Sequence, residues 1–333
     1  MIDNKLLSNM KINSIKIEKL YGKYDFYWNL HENVNILAGD NGSYKTTLLK
    51  ILASMCEPDN LSDYLNVKSV LVKMTDGVVI KYRSFHDSLL RLKKESETDE
   101  LLKELVAKVS SDLKTGEDKS LADLTLNASI IALRKANAKI STTEYKKARK
   151  YNLIATFDVP SKSDKGSALD QQLESLESDY AYYLSDLSKQ LSEIIMKAGK
   201  VDMSDMKKIY AQNELFIEIV NKAFASTGKV VNTEQSKLEF KIGEDVLENN
   251  KRLSSGEKQF LIVMLTVLLQ REEESILIMD EPEISMHLDW QRSLLSNIKV
   301  LNPQCQIILA THSPGVIMDG WQQLVTNIEN LKL

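Results

Sequence analysis

Gly39-Asp40-Asn41-Gly42-Ser43-Tyr44-Lys45-Thr46 gathers two glycines, a lysine, a serine and a threonine into one short stretch. The chemistry that suits such a stretch is phosphate binding. Val34 to Ala38 before it reads as a strand and Thr46 to Met55 after it as a helix, which is the setting a phosphate loop requires. There the backbone N–H groups would wrap a β-phosphate, Lys45 would neutralise β- and γ-oxygens, and Thr46 would place its hydroxyl on Mg²⁺. One position departs from the pattern. Where such loops usually carry a second glycine beside the lysine, this chain has Tyr44, whose Cβ and ring are expected to strain the turn or crowd the phosphates.

Three further stretches carry chemistry. Leu253-Ser254-Ser255-Gly256-Glu257-Lys258-Gln259 is a Ser-Gly turn opening a helix, which exposes backbone N–H groups and a hydroxyl to an anion. About twenty residues on, the apolar run Ile276 to Met279 ends in Asp280-Glu281. Carboxylates at the end of a buried strand are costly without a partner, so the pair reads as functional. Finally, Thr311-His312-Ser313-Pro314 follows the apolar strand Ile307 to Ala310, and a neutral imidazole there can donate or accept one hydrogen bond at either nitrogen.

These four motifs, in this order, resemble those of ABC-type ATPases. The Asn-Gly-Ser core of the phosphate loop and the Ala-Thr-His-Ser-Pro wording are similar to SMC-like or RecF-like heads, a group that includes OLD-like ATPase domains and the ATPase subunits of Septu, retron-associated and PARIS anti-phage systems. The resemblance implies an α/β fold: an ABC-type P-loop ATPase head with a mixed β-sheet and flanking helices, a helical insertion and a short helical hairpin. It implies ATP and Mg²⁺ as cofactors. Gly39, Asn41, Gly42, Ser43, Lys45, Thr46 and Thr47 would bind the nucleotide of one subunit, and Ser254, Ser255 and Gly256 would complete that site from the second subunit of a homodimer. Thr46 and Asp280 would hold the metal, while Glu281 would polarise the attacking water and His312 would sense the γ-phosphate.

By the same resemblance the partner is an effector nuclease and the setting is bacterial anti-phage defence. Three rivals stand beside this reading: an ATP-operated scaffold that hydrolyses little because of Tyr44, the ATP-binding subunit of a membrane transporter, and a RecF-like DNA-repair ATPase. Replacing Ser254 by Arg or Gly256 by Asp is expected to abolish ATP-dependent pairing while sparing the fold. Glu283 to Asp289 occupies the place of the D-loop, where His287 either meets the second subunit or caps a helix. Asp158 and Gln171-Gln172 are candidates for the Q-loop, and Tyr21 or Tyr24 for a stacking contact with adenine.

The elements that must position these residues follow from pattern and composition. The chain has 333 residues and a formal net charge of −4, which argues against coating nucleic acid by charge alone. Cys56 and Cys305 stand far apart in apolar surroundings and fit buried thiols, and with no signal-like N-terminus and no membrane-length apolar run the expected location is cytoplasmic, away from membranes. Residues 1–85 read as an N-terminal lobe with strands at Ile12 to Ile17, Ser69 to Met74 and Val78 to Tyr82. Residues 86–150 read as a charged helical insertion. Its basic end, with Arg134, Lys135, Lys139, Lys146, Lys147, Arg149 and Lys150, is either a solvated face or a surface for DNA or RNA.

Residues 151–228 open with a strand, Tyr151 to Phe157, and continue as a helical hairpin. Leu169, Leu173, Leu176, Tyr180, Tyr183, Leu187, Leu191 and Ile194 mark one arm, and Met206, Tyr210, Ile217, Val220 and Phe224 the other, with Gly228 as its stop. Residues 229–333 read as a C-terminal lobe in which short connections between strands and helices imply a parallel sheet.

Overall fold

The computed structural model describes residues 11–56, 66–84, 130–135, 138–140, 145, 151–155, 167–199, 202–234, 237–247 and 252–333. The chain divides into two compact units, one made of 1–32, 39–151 and 326–333, the other of 33–38 and 152–325.

In the first unit, β1 (Ile12–Leu20), β2 (Tyr24–Asn29), β4 (Ser69–Met74), β5 (Val78–Arg83), β6 (Ile130–Lys135) and β7 (Ala138–Lys139) form a sheet in the order β2-β1-β4-β5-β6-β7. Its neighbouring strands pair antiparallel throughout. Alternation drives it: Ile15, Ile17, Val70, Val72, Val78 and Ile80 are buried while Lys16, Glu18, Leu71, Lys73, Val79 and Lys81 reach solvent. Strands β6 and β7 correct the expectation of a helix through 130–139. Their lysines and arginine gave the stretch its charged look, but Leu133 is buried opposite Ile80. The basic residues at 146–150 and Asp158 lie outside the described residues. Helix α1 (Lys45–Cys56) follows the phosphate loop and packs Leu48, Leu49, Ile51 and Leu52 inward.

The second unit is built on parallel strands. β3 (Val34–Ala38), β12 (Ser275–Asp280) and β13 (Cys305–Ala310) lie in a sheet ordered β14-β3-β13-β12-β8, with β8 (Tyr151–Ala155) and β14 (Val325–Asn327) at its margins. Every residue of β12 and β13 is buried, as expected for strands covered on both faces. The register sets Asp280 beside Ala310 and Ala310 beside Leu37, so three strands end on one edge of the sheet.

Two long helices form the hairpin. α2 (Ala168–Ala198) begins with a capping box between Ser167 and Asp170 and ends at left-handed Gly199, and α3 (Met203–Phe224) is capped by Asp202. The buried stripe of α2 is Leu169, Leu173, Tyr180, Tyr183 and Leu187, while Leu176, Leu191 and Ile194, which the spacing also turned inward, are half-buried. That of α3 shifts: Asn213, Phe216, Ile219, Val220 and Phe224 face inward, whereas Met206 is 40% exposed. Gln171 and Gln172 fall in the first turn of α2 rather than in a loop. Gly228 does act as a stop, in left-handed conformation after a 3-10 turn at Ala225–Thr227.

From there β9 (Lys229–Asn232), β10 (Glu239–Ile242) and β11 (Asp245–Val246) make a small antiparallel sheet. Helix α4 (Ser255–Leu269) runs through the core and is apolar on every side, with Phe260 to Leu265 all at 0% exposure. Amphipathic α5 (Leu288–Leu301) and short α6 (Pro314–Ile317) complete the unit. Both cysteines are buried and neither is joined in a disulfide. Among the described residues no helix is long and apolar enough to cross a membrane.

Candidate functional site

The phosphate loop begins where β3 ends. Gly39 sits at φ +155°, and a Cβ on it would come within 2.6 Å of Ile328 Cγ2 and 3.0 Å of Ser43 Oγ, so only glycine fits. Ser43 Oγ is itself buried with no hydrogen-bond partner among the described residues. Lys45 is 5% exposed, and its ammonium turns back onto the carbonyls of Gly39 and Asp40 at 2.9 and 3.0 Å. Asn41 and Gly42 are exposed, and Thr46 and Thr47 half-buried at the start of α1, where the first backbone N–H groups have no acceptor within a helix. A lysine neutralising its own loop's carbonyls and a buried hydroxyl lacking a partner both suit an anion, so the residues present fit a nucleotide's phosphates.

Tyr44 does adopt the conformation usually reserved for glycine, at φ +74°. Holding a non-glycine residue there costs about 1–2 kcal/mol. Its ring is braced by Tyr21 and Tyr24, with centroids 5.6 and 5.3 Å away, and Lys332 lies 5.3 Å over the Tyr24 ring. Hydrogen bonding with Tyr24, followed by burial, pushes the Tyr44 phenol above its ordinary range. The two upstream tyrosines thus partner Tyr44 itself. Aromatic contacts worth about 0.5–1.5 kcal/mol each offset the backbone strain.

On the other unit, the loop after β12 starts with Glu281 at φ +49°, its N–H donating to Ala310 O at 2.9 Å. Its Oε1 lies 3.3 Å from His312 Nε2, and both side chains are partly open to solvent. Asp280, one residue back, is 4% exposed. The parallel register explains the meeting, because residues following two neighbouring strands at the same level must be adjacent.

Sequence reading placed Glu283 at the start of the D-loop segment and gave it no role of its own. Its carboxylate, 7% exposed, accepts a short hydrogen bond from Thr311 Oγ1 and bonds from the N–H groups of His312 and Ser313, both at 3.2 Å. Burial raises its pKa, against the opposing effect of those donors. Glu283 therefore fixes the backbone that presents His312. The only signal in the sequence was a third acid soon after two others.

The Ser-Gly turn lies at the N-terminus of α4. Ser254 is the cap, its hydroxyl accepting from Glu257 N, while the Glu257 carboxylate accepts from Ser254 N at 2.7 Å. Ser254 and Ser255 are exposed and Gly256 is buried. A Cβ at Gly256 would approach Ser285 O to 2.1 Å, in a loop where Ser285 is already at φ +66°. This corrects the expectation for Gly256→Asp: any side chain there must move the loop after β12, so that substitution does not spare the local structure. Ser254→Arg, on an exposed position, moves no backbone and gives up only the cap hydrogen bond to Glu257 N, a cost of about 1 kcal/mol. In the same loop His287 caps α5, its Nδ1 accepting from Asp289 N at 3.4 Å, with the ring exposed.

Two consecutive residues of this turn hold both roots of the hairpin. Glu257 is bonded by Lys229 Nζ at 2.6 Å and Thr227 Oγ1 at 3.0 Å, just beyond α3, and Lys258 pairs with Asp170 at 2.8 Å, in the first turn of α2.

A family model described as "AAA domain, putative AbiEii toxin, Type IV TA system" matches residues 34–319. The Septu protein PtuA of Bacillus thuringiensis is 22% identical over 327 residues, covering 92% of this chain and 72% of that protein. Among solved structures, an Smc head bound to the C-winged helix domain of ScpA aligns with a TM-score of 0.56 at 14% identity, covering 92% of this chain and 91% of that one. The SMC head of Thermotoga maritima aligns with a TM-score of 0.50 at 12% identity, covering 96% and 94%. The fold is that of SMC-type ATPase heads, and the chain belongs to the AAA-domain family of putative AbiEii toxins of type IV toxin–antitoxin systems.

Proposed function

We propose that the protein binds ATP with Mg²⁺, pairs with a second copy of itself around the nucleotide, hydrolyses it, and through that cycle controls a partner effector. The observation that carries this reading is the contact between Glu281 and His312 on the edge where the parallel strands end. A carboxylate beside an imidazole, both partly open to solvent, is a pair able to orient and deprotonate water. Lys45 and Thr46 would hold the phosphates and the metal, joined by Asp280. Such a metal takes one or two protein ligands plus phosphate oxygens rather than a protein cage, and supplies charge neutralisation at the γ-phosphate.

The exposed Ser254 and Ser255 at the start of α4 present a hydroxyl and a helix N-terminus outward, which suits an anion brought by another subunit. The test is Ser254→Arg. With ATP, the parent chain should elute as a dimer in size-exclusion chromatography, while the Arg variant stays monomeric and folded, melting only a few degrees lower for the lost helix cap. ATP-driven dimers of that variant would overturn the composite site.

The effector is read as a nuclease and the setting as anti-phage defence, on the likeness to Septu PtuA. Co-purification from cells carrying the neighbouring genes, with and without ATP, tests for that partner.

Tyr44 favours a second reading, in which the nucleotide clamps a scaffold and turns over slowly. Tyr44→Gly separates the two. Under the scaffold reading it should raise steady-state phosphate release at least about tenfold, a barrier change of roughly 1.4 kcal/mol. Under the hydrolysing reading the rate stays within a fewfold. Stability should change by no more than about 1 kcal/mol, since relief of strain offsets lost ring contacts.

A further inference from the structure

A cavity of about 660 Å³ opens between the two arms of the hairpin and the end of β9, and none of its lining belongs to the four motifs. Its size falls within the roughly 300–1,000 Å³ of small-ligand sites. Two of its polar walls are buried asparagines, Asn213 at 7% and Asn232 at 4% exposure. Each has its carbonyl engaged: Asn213 Oδ1 accepts from the Tyr180 hydroxyl at 2.8 Å, and Asn232 Oδ1 from Glu234 N at 3.2 Å. Burial raises the Tyr180 pKa, so that hydroxyl keeps its proton and donates. Neither Nδ2 has a hydrogen-bond partner among the described residues. Both residues line the cavity, so its wall offers two amide donors to an acceptor that enters it.

The rest of the lining supplies the other half of the specificity. Leu184 and Ile217 offer apolar surface, and the charged groups are Glu214 and Lys237, the latter ion-paired with Glu239. We propose that the cavity binds an apolar group bearing a carboxylate or amide oxygen, with the Asn213 and Asn232 amides donating to that oxygen. A free N-acyl aliphatic amino acid and the C-terminal residue of a polypeptide share this chemistry. The site stands apart from the nucleotide reading and does not depend on it.

Calorimetric titration of the full chain tests it with N-acetyl-leucine, N-acetyl-leucinamide, and an octapeptide ending in leucine. Isoamylamine is the control, with the same apolar body but a donor where the others carry acceptors. At least one acceptor-bearing probe should saturate while isoamylamine does not. Tighter binding of the octapeptide identifies a polypeptide tail as the source, and tighter binding of the free acid a small molecule. Asn213→Leu should weaken binding about tenfold or more, the scale of one lost hydrogen bond. Because that change also strands the Tyr180 hydroxyl, Ser185→Trp provides the second arm: Ser185 is exposed at the rim, and indole there would fill the cavity without entering the core. Absence of saturation by any probe below about 10 mM, equal binding of isoamylamine, or undiminished affinity of a folded Ser185→Trp protein would each overturn the site.

Discussion

Replacing Glu281 with glutamine is expected to lower steady-state ATP hydrolysis by about 10²- to 10⁴-fold, the range associated with loss of a positioned general base. The substitution keeps the side chain's volume and can still hydrogen-bond His312 Nε2, now 3.3 Å from Glu281 Oε1. It removes only the ability to take a proton. The backbone should not relax, because the Glu281 N–H is fixed on Ala310 O and the facing segment is held by Glu283 through Thr311, His312 and Ser313. Nucleotide binding should therefore survive, and the ATP-bound dimer should accumulate for want of turnover. Phosphate release measured beside size-exclusion chromatography checks both halves. Equal, negligible rates in the parent and the variant would sink the hydrolytic reading and leave the scaffold.

The edge on which Glu281 and His312 meet could be read in the sequence because strand periodicity and motif position coincide there. Ile276 to Met279 and Ile307 to Ala310 are uninterrupted apolar runs, so their burial in a parallel sheet and the polar groups that follow them were both visible. Tyr44 was visible too: a missing glycine in a loop that demands positive φ foretold the strained residue now found there. Its remedy was not, since Tyr21 lies in the turn before β2 and Tyr24 at that strand's first position, and no spacing along the chain announces their contact with residue 44. Strand β6 was masked by its lysine and arginine, because composition averages over a window while a sheet selects every second side chain.

Contacts made by backbone atoms left the least trace. The Glu283 carboxylate meets N–H groups 29 and 30 residues away, which no pattern of side-chain types announces. The close approach of Ser285 O to Gly256 is of the same kind, as is the cavity whose asparagines come from α3 and β9. Long-range packing decides these, and single-sequence periodicity reports only which face of an element turns inward.

Lys229→Met carries the second large effect, this time on stability. Lys229 and Glu257 form an ion pair at 2.6 Å with 14% and 2% of their side chains exposed, at the point where the chain leaves α3 and meets the Ser-Gly turn. Burial alone would push the Glu257 pKa up. Bonds from Lys229, Ser254 and Thr227 outweigh it and hold the carboxyl below its ordinary value. Removing the lysine leaves a buried carboxylate with neutral donors only, a loss of about 3–5 kcal/mol for a broken buried pair. The pH dependence gives the mechanism a sign. In the parent chain Glu257 has a depressed pKa, so its contribution is complete above the unfolded-state value and fades as pH falls toward the folded one. In the variant desolvation dominates and the pKa rises, so the folded state binds a proton more readily than the unfolded, and lowering pH from neutrality relieves the penalty. The gap between the two urea midpoints should therefore be widest near neutral pH and narrow on acidification through the carboxylate range. A gap independent of pH would assign the loss to packing of the lysine stem rather than to the buried charge. Because Lys258 still ties Asp170 to the same turn, Lys229→Met should loosen the α3 root of the hairpin while the α2 root holds, which hydrogen exchange at Thr227 to Val231, compared with Leu169 to Leu173, would show.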